Sequence, residues 1–545
     1  MSQILDVLRG WLQGLQPYPS PSLPRMRKGP EGCAHNPTML QFFTWESRHP
    51  EMSWWKHFES EVSTLAELGI TQVWLPPPNK AMTKNGQGYD AYDLWDLGEF
   101  EQKGTTATRW GTKEELVQAV AAAKARGIDV LIDAVLNHKL GADEVEKFQA
   151  VPVDPENRNK TIGPTREIEG WTIFDFKGRD GKYSGFKWTH EHFTGIDWDH
   201  RTKQNEIYRI VSDKHKGWSQ YVDKQFGNYD YLLGVDIDHR HPDVRKDMLE
   251  WATWILETTG ANGFRLDAIK HMDRRFLLAF LKTARQLPGR ENLFAVAEYW
   301  SADIKAIKPY LRAFAGLLSF FDVPLHHNFH EASKAGPKYD LRTIFHNSVV
   351  EARPGDAVTF VDNHDTQIGQ TLESWVYSNF KLQAYALILL RKDGQPCAFY
   401  GDLYPNEECY DAKIADGLRL LLDARKKFAY GTQRDYFQEY NCIGFTREGD
   451  GTHGGCAVLI SNASDESGLA FPMSPNSTLI ADSHLSRESA VHSVRMNVGK
   501  KHGGKRYRST IQDHTAHIDV DADGWATFTC PHGSLEVWVA VATAT

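Results

Sequence analysis

Four short stretches gather ionisable side chains directly behind apolar runs: "DAVLNH" (133–138), "GFRLDAIKH" (263–271), "AEYW" (297–300) and "VDNHD" (361–365). Among their acids, Asp267, Glu298 and Asp365 come from three separate segments. Carboxylates crowded around one ligand repel, so one keeps its proton to higher pH while a neighbour stays ionised, the division of labour that acid and nucleophile work requires. Arg265 stands two residues before Asp267 and therefore on the same face of an extended chain, where a charge-assisted hydrogen bond keeps that carboxylate ionised. Cleavage of a glycosidic bond uses such a pair, about 5 to 5.5 Å apart in retaining enzymes and about 6.5 to 9.5 Å apart in inverting ones.

The elements that position these groups are legible as a rhythm. Eight apolar runs of strand length begin at residue 38: "TMLQFF", "QVWLPP", "DVLIDAV", "GFRLD", "FAVAEYW", "LLSFFDV", "AVTFVDN" and "CAFYGD". Between them lie segments with apolar residues at three- and four-residue steps, among them "WKHFESEVSTLAELG", "KEELVQAVAAAKARG", "DVRKDMLEWATWILETTG" and "NFKLQAYALILLRKD", often closed by Gly. Alternation of this kind implies parallel strands with crossover helices, and eight units imply a closed (β/α)8 TIM barrel of the α/β class. In such a barrel the chemistry stands at the carboxyl ends of the strands. That explains why strand four ends in "RLDAIKH": its polar residues leave the packed interior at the rim.

The spacing divides the chain further. The crossover after the third strand swells to residues 139–240, too long for a loop, and predicts a β-rich inserted domain. The barrel is expected over 37–138 and 241–431. Beyond it, short alternating runs such as "YNCIGFTR" and "LEVWVAV" predict a C-terminal antiparallel β-sandwich domain over 432–545. Residues 1–36 form an N-terminal segment with Ile4, Leu8, Trp11, Leu12 and Leu15 at helical spacing, expected to be a docked surface helix.

Composition narrows the functional classes. With 62 basic against 71 acidic residues the net charge is −9, which gives no electrostatic reason to expect nucleic acid. Mean hydropathy of −0.49 and the lack of a run of about 18 apolar residues speak against a membrane span. No basic leader with an unbroken apolar stretch opens the chain, and the six cysteines form no CxxC pair, so a reducing, cytoplasmic setting is expected. A monomer is expected too, although no spacing in the sequence speaks to oligomeric state. Seventeen Trp, 20 Tyr and 27 Phe mildly favour a carbohydrate ligand, because aromatic faces stack on sugars. "DVDADG" (519–524) begins like a calcium loop but has Cys530 at the twelfth position, so a hairpin turn is expected there; "HEHF" (190–193) lacks zinc-protease spacing and is assigned no metal.

Taken in order on strands three, four, five and seven, "DAVLNH", "GFRLDAIKH", "AEYW" and "FVDNHD" resemble the signature regions of the α-amylase family of retaining glycoside hydrolases. "NGQGYDAYDLWDLGEF" (85–100), "GNYDYLLGVDID" (227–238) and the long insertion resemble the liquefying bacterial type and its intracellular fungal relatives. The resemblance implies an endo-acting hydrolase of α-1,4-glucan, on starch, glycogen or maltooligosaccharides, working through a covalent glycosyl-enzyme intermediate. It assigns Asp267 as nucleophile, Glu298 as acid and then base, and Asp365 as binder of the distorted sugar, helped by His138 and His364. It puts Tyr89 beneath the sugar at the cleaved bond, Arg265 beside Asp267, and Trp300, Lys270 and His271 on the leaving-group side.

A Ca2+ site is implied at Asn137, Asp230, Asp236 and the backbone carbonyl of His271, clamping the inserted domain to the barrel. Thr194 and Ser219 replace metal-binding acids of the bacterial relatives, which argues against a second or third metal. His239 and Arg240 depart from the family's Tyr and Asp and bear on subsite preference. Transglycosylation by a 4-α-glucanotransferase on the same scaffold, and a non-catalytic glucan-binding regulatory protein, remain the alternatives.

Overall fold

Each of the eight apolar runs contains a strand whose residues are buried throughout, as expected where helices cover one side and a packed barrel interior the other. They are β1 (Met39–Gln41), β2 (Gln72–Trp74), β3 (Asp129–Ala134), β4 (Gly263–Leu266), β5 (Phe294–Ala297), β6 (Ser319–Phe321), β7 (Ala357–Phe360) and β8 (Gln395–Phe399). They close into a barrel in the order β1-β8-β7-β6-β5-β4-β3-β2, and the registered pairs from β1 through β7 are parallel. The computed structural model describes residues 26–30, 36–213, 217–464, 491–511 and 516–541; the proposed N-terminal helix and Cys33 lie outside them.

The helices follow the sequence periodicity: α1 (Trp54–Glu67), α2 (Lys113–Ala125), α3 (Pro242–Thr259), α4 (Arg274–Ala284), α5 (Ile304–Ala313), α6 (Val323–Ala335), α7 (Ser378–Leu390) and α8 (Ala412–Phe428). Local chemistry sets their ends. Thr112 and Glu115 form a capping box at the start of α2, satisfying two amides that the helix leaves open. Gly260 stops α3 in the left-handed conformation at φ 76°, where its amide closes on Leu256. Gly263 opens β4 for a different reason: a Cβ there would lie 2.3 Å from the Phe294 carbonyl oxygen, so only glycine lets β4 lie this close to β5.

The described residues fall into two compact units, divided at 323/324, 351/352 and 358/359. In the first, the long crossover between β3 and α3 folds as a seven-stranded sheet, from His138–Lys139 to Val235–Ile237, whose registered pairs are antiparallel. In the second, strands β9 (Gln433–Tyr436), β10 (Cys442–Arg447), β11 (Cys456–Ser461), β12 (Val491–Asn497), β13 (Arg506–Ser509), β14 (His517–Asp519), β15 (Trp525–Pro531) and β16 (Leu535–Ala540) form an antiparallel domain. A six-stranded sheet in the order β9-β10-β11-β16-β13-β14 and the pair β12-β15 share a core that includes Leu459, Met496, Tyr507, Phe528 and Trp538.

One local expectation is corrected here. "DVDADG" turns the chain, but β14 pairs with β13 and β15 with β12, so it links two sheets and is no hairpin. Asp521 Oδ1 accepts the amides of Asp523 and Trp525 at 3.0 and 2.9 Å, which shapes the turn, and Oδ2 lies 3.3 Å from Arg495. Cys397, Cys409, Cys442, Cys456 and Cys530 are all free thiols.

Candidate active site

The parallel register sets Arg265 of β4 level with Asp133 of β3, so both side chains share a face of the barrel wall. Arg265 Nη1 donates to Asp133 at 2.8 Å and to Asp267 at 2.6 Å, while Nη2 lies 3.9 Å from Glu298. Burial works to lower the pKa of this guanidinium, but Asp133, Tyr89 and Asp267 around it hold it well above the ordinary arginine value. One permanently charged group thus organises three acids from three strands.

Asp133 is the partner that reasoning from sequence left without a role. Its carboxylate accepts from Trp74 Nε1 at 2.9 Å, from the Tyr89 hydroxyl at 2.7 Å and from Arg265, which fixes all three. Burial first, and then the Asp267 charge, push its pKa up to about 6 despite Arg265. The available signal was its position as the last residue but one of β3; nothing in its spacing said which side chains would converge on it.

Asp267 and Glu298 leave the ends of β4 and β5 and are each 9% exposed, shielded yet still reachable. Glu298 accepts the Ala268 amide at 2.8 Å. That amide points at the acid because Ala268 adopts a left-handed backbone, φ 48° and ψ 40°, a strained conformation for a residue with a Cβ. Burial, and next the Asp267 charge, raise the Glu298 carboxyl above the ordinary glutamate range. The two acids therefore occupy unlike environments: Asp267 accepts a 2.6 Å hydrogen bond from Arg265, and Glu298, 3.9 Å from that arginine, is the more inclined to keep its proton.

Aromatic and basic side chains surround this pair. The Tyr89 ring stacks on Trp45 with centroids 5.9 Å apart and planes 6° from parallel. Burial lowers the His138 pKa, so the ring is neutral, and its Nε2–H donates to the Tyr89 carbonyl at 2.9 Å. Lys270 Nζ donates to the Trp300 carbonyl at 3.0 Å and lies 4.9 Å over the Tyr229 ring, its pKa lowered by burial. His271 is buried and neutral, pushed down to about 3 by burial and then by Lys270, and its Nδ1–H reaches the Tyr229 carbonyl at 2.8 Å.

His364 and Asp365 stand in the second unit, on the turn after β7, with His364 Nε2 3.4 Å from Asp365 Oδ2. Asn363 Oδ1 accepts the amides of Asp365 and Thr366 at 2.9 and 3.0 Å, which folds the turn back and presents Asp365 on it.

Of the residues named for calcium, Asp236 lies in the strand Val235–Ile237 of the inserted sheet, and Asn137 Nδ2 donates to it at 3.4 Å. Asn137 Oδ1 is buried and accepts no hydrogen bond, a costly arrangement unless a cation or water faces it. Asp230 and Asp236 are buried, and burial raises both pKa values, Asp230 up to about 7, with the Asp230 charge adding to the shift at Asp236. An unpartnered amide oxygen beside two mutually repelling carboxylates is a donor set of hard oxygens, and it fits Ca2+. Asp236 accepts from the Thr194 hydroxyl, and Asp230 accepts the Ser219 amide at 2.8 Å, so the two positions that depart from the bacterial pattern satisfy these acids with hydrogen bonds. His239 donates to the Leu136 carbonyl at 2.9 Å and stacks on Phe276, while Arg240 Nε pairs with Asp238 at 2.7 Å and Nη1 donates to the Trp218 carbonyl at 3.1 Å.

His192, His241 and Asp243 also approach one another. His192 Nδ1 accepts the Thr189 amide at 2.9 Å and His241 Nδ1 accepts the Asp243 amide at 3.3 Å. Each neutral ring then carries its proton on Nε2, the reverse of the tautomer that a metal at Nε2 needs.

A parallel (β/α)8 barrel with an arginine-held carboxylate and, on the adjacent strand end, an acid whose pKa burial raises defines a barrel hydrolase built for acid-assisted displacement. Comparison with known proteins carries this further. The family described as alpha amylase, catalytic domain, matches residues 55–414. A glucan 1,4-alpha-maltohexaosidase of Bacillus sp. (strain 707) is 42% identical over 505 residues, covering 92% of each chain. A cytoplasmic alpha-amylase of Escherichia coli (strain K12) is 39% identical over 92% of this chain and 99% of its own. An alpha-amylase of Geobacillus thermoleovorans, solved with acarbose, superposes with a TM-score of 0.58 at 18% identity over 96% of this chain and all of that one. The chain belongs to the α-amylase family and is a glycoside hydrolase.

Proposed function

We propose that this glycoside hydrolase is an endo-acting α-amylase that cleaves α-1,4-glucan with retention, by double displacement at Asp267. The observation that carries the reading is the unlike treatment of two adjacent acids by one arginine: Arg265 donates to Asp267 at 2.6 Å, while burial raises the Glu298 pKa.

In the first step an Asp267 carboxylate oxygen bonds to the anomeric carbon as the bond to the glycosidic oxygen breaks, and the Glu298 proton passes to that oxygen. Glu298, now ionised, then takes a proton from water, whose oxygen displaces Asp267 from the same carbon and restores the starting state. Asp365 follows β7, and the strands of such a barrel carry their functional groups at their carboxyl ends. In this reading Asp365 and His364 bind hydroxyls of the distorted sugar, and its positive charge in the transition state is met by carboxylate oxygens. Tyr89, backed by Trp45, offers the stacking face, and His138 a neutral imidazole for a ring hydroxyl. Lys270, His271 and Trp300 serve the leaving-group side.

Asn137, Asp230, Asp236 and the His271 carbonyl would hold Ca2+, which supplies the positive charge that two buried carboxylates lack. The name of the Escherichia coli relative supports a cytoplasmic setting, and among the described residues no helix is long and apolar enough to cross a membrane.

The test follows products from maltoheptaose and traps the intermediate. Reducing ends that grow steadily, and a β-linked fluorinated glycosyl adduct on Asp267 found by mass spectrometry, are expected. An adduct on another residue overturns the assignment; longer oligosaccharides as the main product transfer the reading to a glucanotransferase.

A further inference from the structure

The turn that carries Asp365 is held from below by a buried charge cluster that the reaction itself does not use. Lys381, in the first turn of α7, points its Nζ at Asp362 and Asp402, 2.9 Å from each. The three side chains are at most 2% exposed. The ammonium also lies 3.0 Å over the Trp375 ring, and Asp402 accepts the Tyr385 hydroxyl at 2.6 Å. Asp362 comes three residues before Asp365, and Asp402 belongs to the short helix Tyr400–Leu403 that follows β8. A single cation thus ties the exits of two neighbouring strands.

From Asp362 the tie runs directly into the turn. Asp362 accepts the Thr366 hydroxyl at 2.9 Å, Thr366 Oγ1 accepts the Asn363 amide at 3.0 Å, and Asn363 Oδ1 accepts the Asp365 amide at 2.9 Å. Residues 362 to 366 form a closed loop of hydrogen bonds with Asp365 at its tip and Lys381 at its root. A second brace, His326 on α6, makes a 2.6 Å bond to the Val361 carbonyl and a 2.8 Å bond to the Ser374 hydroxyl. His326 holds the strand exit; Lys381 holds the carboxylate around which the turn closes.

We infer that Lys381 is a positioning residue for catalysis, fixing the Asp365 carboxylate through Asp362, a role that rests on the assignment of Asp365 proposed above. A buried ammonium shared by two carboxylates has one narrow position, so the loop it anchors is not free to drift. Displacement of a catalytic group by about 1 Å costs on the order of 100-fold in rate. Lys381 touches neither substrate nor reacting atoms in this scheme, and its loss acts on kcat through Asp365.

The experiment is a double-mutant cycle on the full chain, measured on maltoheptaose and on an activated maltosyl fluoride. Lys381→Met is expected to lower kcat about 100-fold with KM changed less than about threefold, and Lys381→Arg, which keeps a cation, to recover about tenfold of it. In the Asp365→Asn background Lys381→Met is expected to cost less than about twofold, since the group it positions is already disabled. A cooperatively unfolding Lys381→Met variant with kcat within about twofold of wild type overturns the inference, as does an equal loss in both backgrounds. Should Lys381→Met not fold, Asp402→Asn replaces it: this variant keeps the Lys381–Asp362 pair and is expected to lose about tenfold in kcat with the same non-additivity, and an unchanged kcat refutes the role. Wild-type activity in Asp365→Asn alone refutes the functional reading of Asp365 instead.

Discussion

Replacing Arg265 by methionine removes the charge at nearly constant length and leaves two carboxylates facing an apolar stem. Arg265 donates to Asp133 at 2.8 Å and Asp267 at 2.6 Å. At an effective dielectric of about 20, opposite charges centred about 4 Å apart attract by about 4 kcal/mol, so each carboxylate loses an interaction of that order. The consequences differ between the two. Asp133 is 1% exposed and has no route to water, so its unpaired charge costs roughly 3–5 kcal/mol of stability. Asp267 is the proposed nucleophile, which must be ionised and aimed, so the loss of its partner should show in the rate; kcat at neutral pH is expected to fall at least about 100-fold.

Adding Asp133→Asn to Arg265→Met separates these effects. The amide still accepts from Trp74 and Tyr89 but carries no charge, so most of the lost stability should return while the rate stays low. Thermal melts and kcat from pH 5 to 9 on both variants provide the measurement. If Arg265→Met melts within about 2 °C of wild type, or the double variant regains wild-type kcat, then Arg265 does not couple the three acids as argued.

The acid should be visible in the pH profile. Because Glu298 is raised above the ordinary glutamate range, activity on starch falls as pH climbs through its pKa; Glu298→Gln removes that alkaline limb and costs about 10²–10⁴-fold on glucans, far less on a glycosyl fluoride that needs no proton. Asp129 offers a stability test away from the chemistry. Burial, opposed by Arg27 at 3.7 Å and by Arg290, pushes its pKa up to about 6 from 3.8, so the folded chain keeps a proton that the unfolded chain releases, and stability declines as pH rises from about 4 to 6. Asp129→Asn should therefore gain about 2–3 kcal/mol at pH 7 and nothing at pH 3.5, read from denaturant or thermal unfolding; a gain independent of pH contradicts the burial argument. Chelation of Ca2+ should lower the melting temperature of wild type, as expected for a ligand worth about 2.7 kcal/mol at 100 times its Kd, and should leave an Asp230→Asn, Asp236→Asn variant unmoved, with calorimetric titration of Ca2+ as the second readout.

Much of the architecture was present in the linear pattern. Eight apolar runs between amphipathic segments specify eight parallel strands and their helices, because each strand must be buried on both faces and each helix on one. The overlong crossover announced an inserted domain, and the alternating runs beyond residue 432 an antiparallel one. Arg265 and Asp267 could be paired from their spacing, since alternate residues of a strand share a face. Asp133 could not, because its place beside Arg265 depends on the register of β3 against β4, across 132 residues of chain.

The same holds for Lys381, which reads as one polar position in an apolar helix until Asp362 and Asp402 are brought to it from strand ends 19 positions before and 21 after. "DVDADG" failed in the complementary way: its residues specify a turn, but whether the flanking strands pair with each other is decided by sheets built from residues elsewhere. The sequence alone determined the periodic elements and the acids at their ends, since those depend on local geometry and burial. Tertiary structure decided which charge faces which, since electrostatic partnership depends on distances that only the folded barrel sets.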